Sequence, residues 1–282
     1  MNGAIDLSNP FFQSLGTNGR SCSTCHQLSD GMSISAAHVQ QRYTASGGTD
    51  PIFRTVDGST CDTNTDYSLL TSRGLIRIAI AVPPGADFQV RKVFNTYGCN
   101  NTATLSMYRR PLPSTNLNFL TTVMWDGRES SSQTGTTPIN SGNYPQSLLN
   151  DLAHQSVDAT LGHAQATQPP TQAQQLQIVA LETGLYTAQY SDNQAGGLNA
   201  NGATGGATNL QPQPFFIGIN DPVGLNPTGA AFNSAIFNLY NAWANNNNPA
   251  RASVARGQAL FNSKPITISG VAGLNGVTFS AG

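Results

Sequence analysis

The run Cys22-Ser23-Thr24-Cys25-His26 governs the reading of this chain. Two cysteines separated by two residues and followed at once by a histidine form the attachment pattern of a c-type haem. The thiols add across the vinyl groups of a porphyrin, and the histidine becomes an axial ligand of its iron. About one helical turn between the cysteines lets both reach the porphyrin edge while the imidazole points at the metal. Two other uses of Cys-x-x-Cys compete. A redox pair needs no histidine and usually follows a strand in a βαβ pattern. Zinc needs a second Cys or His pair, whereas Cys61 and Cys99 are isolated, with no histidine beside either. The pentapeptide therefore predicts one covalent haem c held by Cys22 and Cys25 and ligated by His26.

Composition narrows the setting. The chain has 282 residues, a net charge of −1 and only 10% charged residues, against roughly 25% in ordinary soluble domains. That length is enough to bury a sizeable core. A charge so near zero, with no dense basic patch, argues against a nucleic-acid partner. No apolar run approaches the length of a membrane span. Haem attachment of this kind and stable disulfides both belong outside the cytoplasm, so the chemistry predicts a periplasmic protein. Met1-Asn2-Gly3-Ala4 offers neither a basic n-region nor an apolar h-region, so no signal peptide is visible. Cys61 and Cys99 predict a disulfide across a long loop, with two buried free thiols as the plain alternative.

Helical patterning dominates, and a mainly α fold is expected. Asn9 and Pro10 are placed to cap and open a short helix, Phe11 to Leu15, leading into the motif. Helices are also predicted over 35–43, from Pro145 onward and over 171–186, with 68–80 turning from helix into strand. In the helix after Pro145, Leu149, Leu152, Ser156, Ala159 and His163 share the apolar face. Asp151, Gln155 and Asp158 take the opposite one. Residues 109–124 read as an extended loop closing on Trp125. Residues 191–214, rich in Gly, Asn and Ala, read as a loop or linker with little apolar surface to bury. Phe215 to Ile219 returns to core-like character. Phe232, Ile236, Leu239 and Trp243 predict a helix that Asn248-Pro249 ends.

Two further stretches give the motif a family setting. Asn18 to His26, taken with Trp125-Asp126-Gly127-Arg128 about a hundred residues on, resembles the bacterial di-haem cytochrome c peroxidase family. That family includes the related di-haem enzyme that matures methylamine dehydrogenase. Arg109-Arg110-Pro111-Leu112-Pro113 and Phe216-Ile217-Gly218-Ile219-Asn220-Asp221-Pro222 fit a large subgroup of it. The resemblance implies a cytochrome c-like haem domain with long loops and additional helices over 1–190. A linker and interdomain helix would follow over 191–249, and a second cytochrome c domain would begin at 250–282. Arg256 to Phe261 looks like the opening helix of such a domain, and the chain is expected to stop short of a second Cys-x-x-Cys-His. Full length would then carry two haems. The family's interdomain calcium is allowed by the resemblance but finds no clear match here.

By the same resemblance the N-terminal haem is the peroxidatic one, and Trp125 is an aromatic relay between the two haems. The plain alternative for Trp125 is a core residue. Arg128 would pair with a haem propionate, or else hold its turn through Asp126. Family members commonly follow the tryptophan with a glutamine and a glutamate for proton transfer. Here no acidic residue follows Glu129 until Asp151, and no glutamate until Glu182. His163 is the replacement expected to act as distal acid/base. As a core residue it would merely be hydrogen-bonded, and as a sixth ligand it would block peroxide. His38, His154, Met32, Met107 and Met124 are weaker ligand candidates.

The implied activity is reduction of hydrogen peroxide to water, with electrons from a small cytochrome or copper protein and with room for a homodimer. The alternatives are oxidation of a protein or organic substrate through the same haems, or a plain electron-transfer cytochrome. With one haem motif, the 282-residue chain is expected to be weakly active or inactive as a peroxidase.

Overall fold

The structure is a computed structural model that describes residues 4–62, 64–91, 96–120, 122–130, 146–213, 231, 233–271 and 277–279. Phe215 to Pro222 lies outside the described residues. The chain divides into two compact units. The first comprises Met1–Leu117, Thr122–Glu129 and Leu149–Leu185, and the second the remainder.

The first unit carries most of the regular structure. Ser35 caps helix α1 (Ala36–Ser46), its hydroxyl accepting from the His38 N–H, and Gly47 ends it in the left-handed region at φ 60°. Helix α2 (Ser68–Arg73) closes on Gly74 and leads into strand β1 (Ile76–Ala81). Strand β1 pairs antiparallel with β2 (Thr104–Arg109), in the register Ile76 opposite Arg109 and Ala81 opposite Thr104. The expected helix-to-strand turn is therefore present, while the first six residues of the expected 109–124 region belong partly to a strand end and partly to a loop. Helix α3 spans Gln146–Gly162. Helix α4 (Gln172–Gly184) opens on a capping box between Thr171 and Gln174. At the N-terminal end the expected helix is a single 3-10 turn, Pro10–Phe12, capped by Asn9.

Two apolar clusters form this unit's core. Ile34, Val39, Ile52, Phe53 and Leu70 make one, with Cys25 packed against it. Phe11, Met32, Ile178 and Leu181 make the other, with Cys22 packed against it. The Cys-x-x-Cys turn thus has one sulfur on each cluster. The second cluster joins α4 to the Pro10–Phe12 turn.

Cys61 and Cys99 form a disulfide, S–S 2.00 Å, across 38 residues of sequence. Closing a loop of that length restricts the unfolded chain, which is worth about 3–4 kcal/mol in the chain-entropy model. Replacing both cysteines by alanine is expected to cost that much in urea unfolding. An unchanged midpoint would show that the crosslink contributes nothing.

The second unit corrects two expectations. Residues 191–214 do bury apolar surface: Ala195, Leu198 and Ala203 pack with Trp243 and Ala255. Small side chains suffice because the Trp243 indole fills the centre, donating from Nε1 to the Ala200 carbonyl at 2.9 Å. The helix expected over 232–243 is absent among its described residues, apart from the 3-10 turn Asn241–Trp243. Its backbone groups bond instead to side chains of helix α5 (Pro249–Ser263): Gln258 accepts from the Tyr240 N–H, and Asn262 bonds both backbone groups of Phe237. Asn248 and Pro249 likewise start α5 rather than ending a helix before it. The Asn248 side chain accepts from the N–H groups of Ala250 and Arg251. No helix among the described residues is long and apolar enough to cross a membrane.

Candidate functional site

Cys22–Thr24 forms a 3-10 turn, opened by a box in which the Ser21 and Thr24 side chains meet each other's backbone N–H groups. Cys22 and Cys25 are both free thiols and partly exposed. They form no disulfide with each other, and both sulfurs are available for addition to a vinyl group. Burial pushes the Cys22 thiol up to about 12, helped by the charge of Glu182, and pushes Cys25 up to about 11. A redox Cys-x-x-Cys needs the opposite shift, toward a stable thiolate.

His26 is held by its ring. Nδ1 donates to the Met32 carbonyl at 2.9 Å, and the Ser114 hydroxyl lies 3.0 Å from the same nitrogen. A carbonyl only accepts, so Nδ1 carries the proton and Nε2 keeps its lone pair. Metal-ligating histidines are held in this way, with the far nitrogen fixed by a carbonyl or carboxylate. Burial lowers the imidazole's basicity, which keeps the ring neutral. Met32 adopts φ 62° and is buried in the second apolar cluster. Its contribution to the site is thus a backbone carbonyl. Two thiols on either side of the turn and an imidazole held through Nδ1 fit a covalently attached haem.

His163 lies one residue beyond the end of α3, outside the helix. The apolar face expected to bury it is itself displaced, because Asp151 and Leu152 are each 1% exposed and Thr160 is buried. The His163 side chain is 42% exposed, and its Nδ1 bonds the Asp57 carboxylate at 2.8 Å.

The backbone of 163–165 is fastened to the residues just before the haem motif. The Asn18 amide donates to the His163 carbonyl at 2.8 Å, Thr17 N–H donates to the Ala164 carbonyl at 3.1 Å, and the Thr17 hydroxyl donates to the Gln165 carbonyl at 2.8 Å. Gly16 makes this approach feasible, since a Cβ there would lie 1.9 Å from the Ala164 oxygen. Gly16→Ala is expected to cost about 2 kcal/mol in chemical denaturation and to part the two segments. Wild-type stability in that variant would refute the contact.

Arg20 ties the arrangement together. It is 3% exposed, and its guanidinium donates to Asp57 at 2.9 Å and to the carbonyls of Pro51, Ile52 and Val56 at 2.8–3.0 Å. It also reaches the His163 carbonyl at 3.3 Å. Asp57, at φ 59°, is thereby turned toward both partners. Neither Arg20 nor Asp57 carries a local sign of this role, as the two are 37 residues apart and meet only through the fold.

Trp125 and Arg128 sit in the turn between Thr122–Val123 and Glu129–Ser130. The Trp125 ring is 58% exposed, so it is not a core residue. Its indole N–H donates to the Arg110 carbonyl at 3.1 Å, and Arg109 lies 3.8 Å from Asp126. The two sequence motifs therefore meet. From Arg110 the chain runs past Pro111, whose carbonyl accepts from the Ser33 hydroxyl at 2.6 Å, to Ser114 beside His26. Arg128 donates from Nε to Asp126 at 3.0 Å, which holds the turn.

The remaining candidates lie elsewhere. His38 bonds Asp30 at 2.6 Å on α1, and Met107 is exposed on β2. His154 bonds Glu129 at 2.9 Å. Glu182 on α4 is 5% exposed with its Oε2 unpartnered, and burial pushes its carboxyl up to about 8. Comparison with family models, curated proteins and solved structures found no match.

Proposed function

We propose that the chain is a c-type haem oxidoreductase of the di-haem cytochrome c peroxidase kind. It would work in the periplasm, reducing hydrogen peroxide to water with electrons from a small cytochrome or copper protein. The observation that carries this reading is the pair of imidazoles held through Nδ1, His26 by the Met32 carbonyl beside the two thiols and His163 by the Asp57 carboxylate. When bound, the haem supplies a redox-active iron for cleavage of the O–O bond.

The chain's own residues have distinct tasks. Cys22 and Cys25 would attach the porphyrin, and His26 would ligate its iron. His163 takes a proton at Nε2 from one peroxide oxygen and returns it to the other. Asp57 fixes the tautomer this requires, and Arg20 holds Asp57. Trp125, exposed and bonded to the segment that reaches His26, would serve as electron relay, a role its contact with that segment supports.

The partly exposed His163 imidazole also supports a second reading, in which it would ligate the haem of a plain electron carrier. Optical and EPR spectra of the haem-loaded chain, before and after peroxide, separate the two. The peroxidase reading expects a high-spin ferric haem whose spectrum changes with peroxide, a reaction slowed about a hundredfold or more in His163→Ala. An inert low-spin haem that becomes reactive in His163→Ala would establish the carrier. Failure of Cys25→Ser to weaken covalent haem retention would remove the basis of both.

A further inference from the structure

Asp151, His154 and Asp158 recur at three- and four-residue steps along α3, so they share one face of the helix. Glu129, which follows the Trp125 turn, brings a fourth side chain to that face. One donor atom from each of Glu129, His154 and Asp158 lies within 4.8 Å of the others. Glu129 is 2% exposed and its Oε2 is 2.9 Å from His154 Nδ1. Two ligands bound side by side at about 2.1 Å from a common ion lie about 3 Å apart, so that spacing is already one an ion accepts.

Asp151 supplies a separate observation. It is 1% exposed, and its Oδ2 has no hydrogen-bond partner. It lies one turn before His154 on the same face of α3. Buried carboxylates are normally paired, hydrogen-bonded or bound to a metal. Here Glu129 and Asp151 are both buried, and Glu129 bonds the exposed His154.

We propose that Glu129, Asp151, His154 and Asp158 bind one divalent first-row transition-metal ion. Three carboxylates with a single imidazole and no thiolate suit Mn2+ or Zn2+ rather than a soft ion. The Asp-x-x-His step on α3 is the helical device by which a carboxylate and an imidazole reach one ion. All four residues belong to one compact unit, so this is not an interdomain site. His154 binds through Nδ1, giving up its bond to Glu129 as both groups turn to the ion.

The test is titration of the haem-loaded full chain with Mn2+, followed by the EPR signal of the free ion, and with Zn2+ by calorimetry. One ion per chain is expected, bound at least tenfold more weakly by Asp151→Asn and by His154→Ala. Because His154→Ala also removes the ion pair of the buried Glu129, the ion-free Tm of each variant is measured first, and binding is compared at a temperature where both are folded. Saturating ion should raise Tm by roughly 5–10 °C in the wild type and by much less in either variant. No stoichiometric binding would overturn the proposal and leave Asp151 as a buried neutral acid. Binding unchanged in both variants would overturn it by placing the ion elsewhere.

Discussion

Arg20→Met is expected to lower the stability of the protein by on the order of 5 kcal/mol, measured by urea denaturation. Methionine has nearly the right length but no donors. The substitution strands the Asp57 carboxylate, and it leaves the carbonyls of Pro51, Ile52 and Val56 without their donor. Breaking one side of a buried ion pair costs 3–5 kcal/mol because the remaining charge is uncompensated. Each orphaned carbonyl adds to that. Arg20→Lys should recover only part, since a single ammonium cannot reach four acceptors lying in different directions. The loss should extend to His163, whose Nδ1 depends on the same carboxylate. Wild-type stability in Arg20→Met would show that water replaces the guanidinium without penalty.

Glu182→Gln is expected to remove most of a pH dependence of stability. Burial raises the Glu182 carboxyl from 4.5 to about 8. Between those values the unfolded chain is ionised there and the folded one is not. The folded state therefore binds more protons, and stability falls as pH rises. The loss begins near the unfolded value, continues to about 8 and then levels off. Its full size is on the order of 5 kcal/mol by linkage. Glutamine keeps the shape and has no charge to bury. The variant should match the wild type near pH 4 and exceed it increasingly toward pH 9. Parallel stability curves for the two proteins over that range would mean that Glu182 is ionised in the fold.

What the sequence made legible was local. Asn9 was readable as a cap because an N-cap bonds a backbone N–H two or three residues on. The haem motif was readable because its spacing is its chemistry. The helix expected through Trp243 failed for a reason no window of sequence contains. Gln258 and Asn262, about twenty residues on, take the hydrogen bonds a helix would have used. Asn248-Pro249 was ambiguous in principle, since proline suits the first turn of a helix as well as the residues after one.

The site was legible in the same proportion. His26 and His163 could be singled out from sequence, but the partners that bond each ring could not. Asp57 is 106 residues from His163, and Ser114 is 88 from His26. Asp151 was placed on the solvent side of α3 because a carboxylate among glutamines reads as exposed. The structure buries it, since the helix turns its Ser147, Asp151, Leu152 and Thr160 side inward.

The fastening of residue 163 has an outcome for redesign. Asn18 and Arg20 hold its carbonyl, and Thr17 holds the carbonyls on either side of the next peptide link. None of these grips depends on the imidazole. Position 163 is thus a mount whose hardware is main chain, and methionine, lysine or glutamine placed there would be presented from the same point. Nature or an engineer could exchange the group offered at that spot, and with it the chemistry, without rebuilding what carries it.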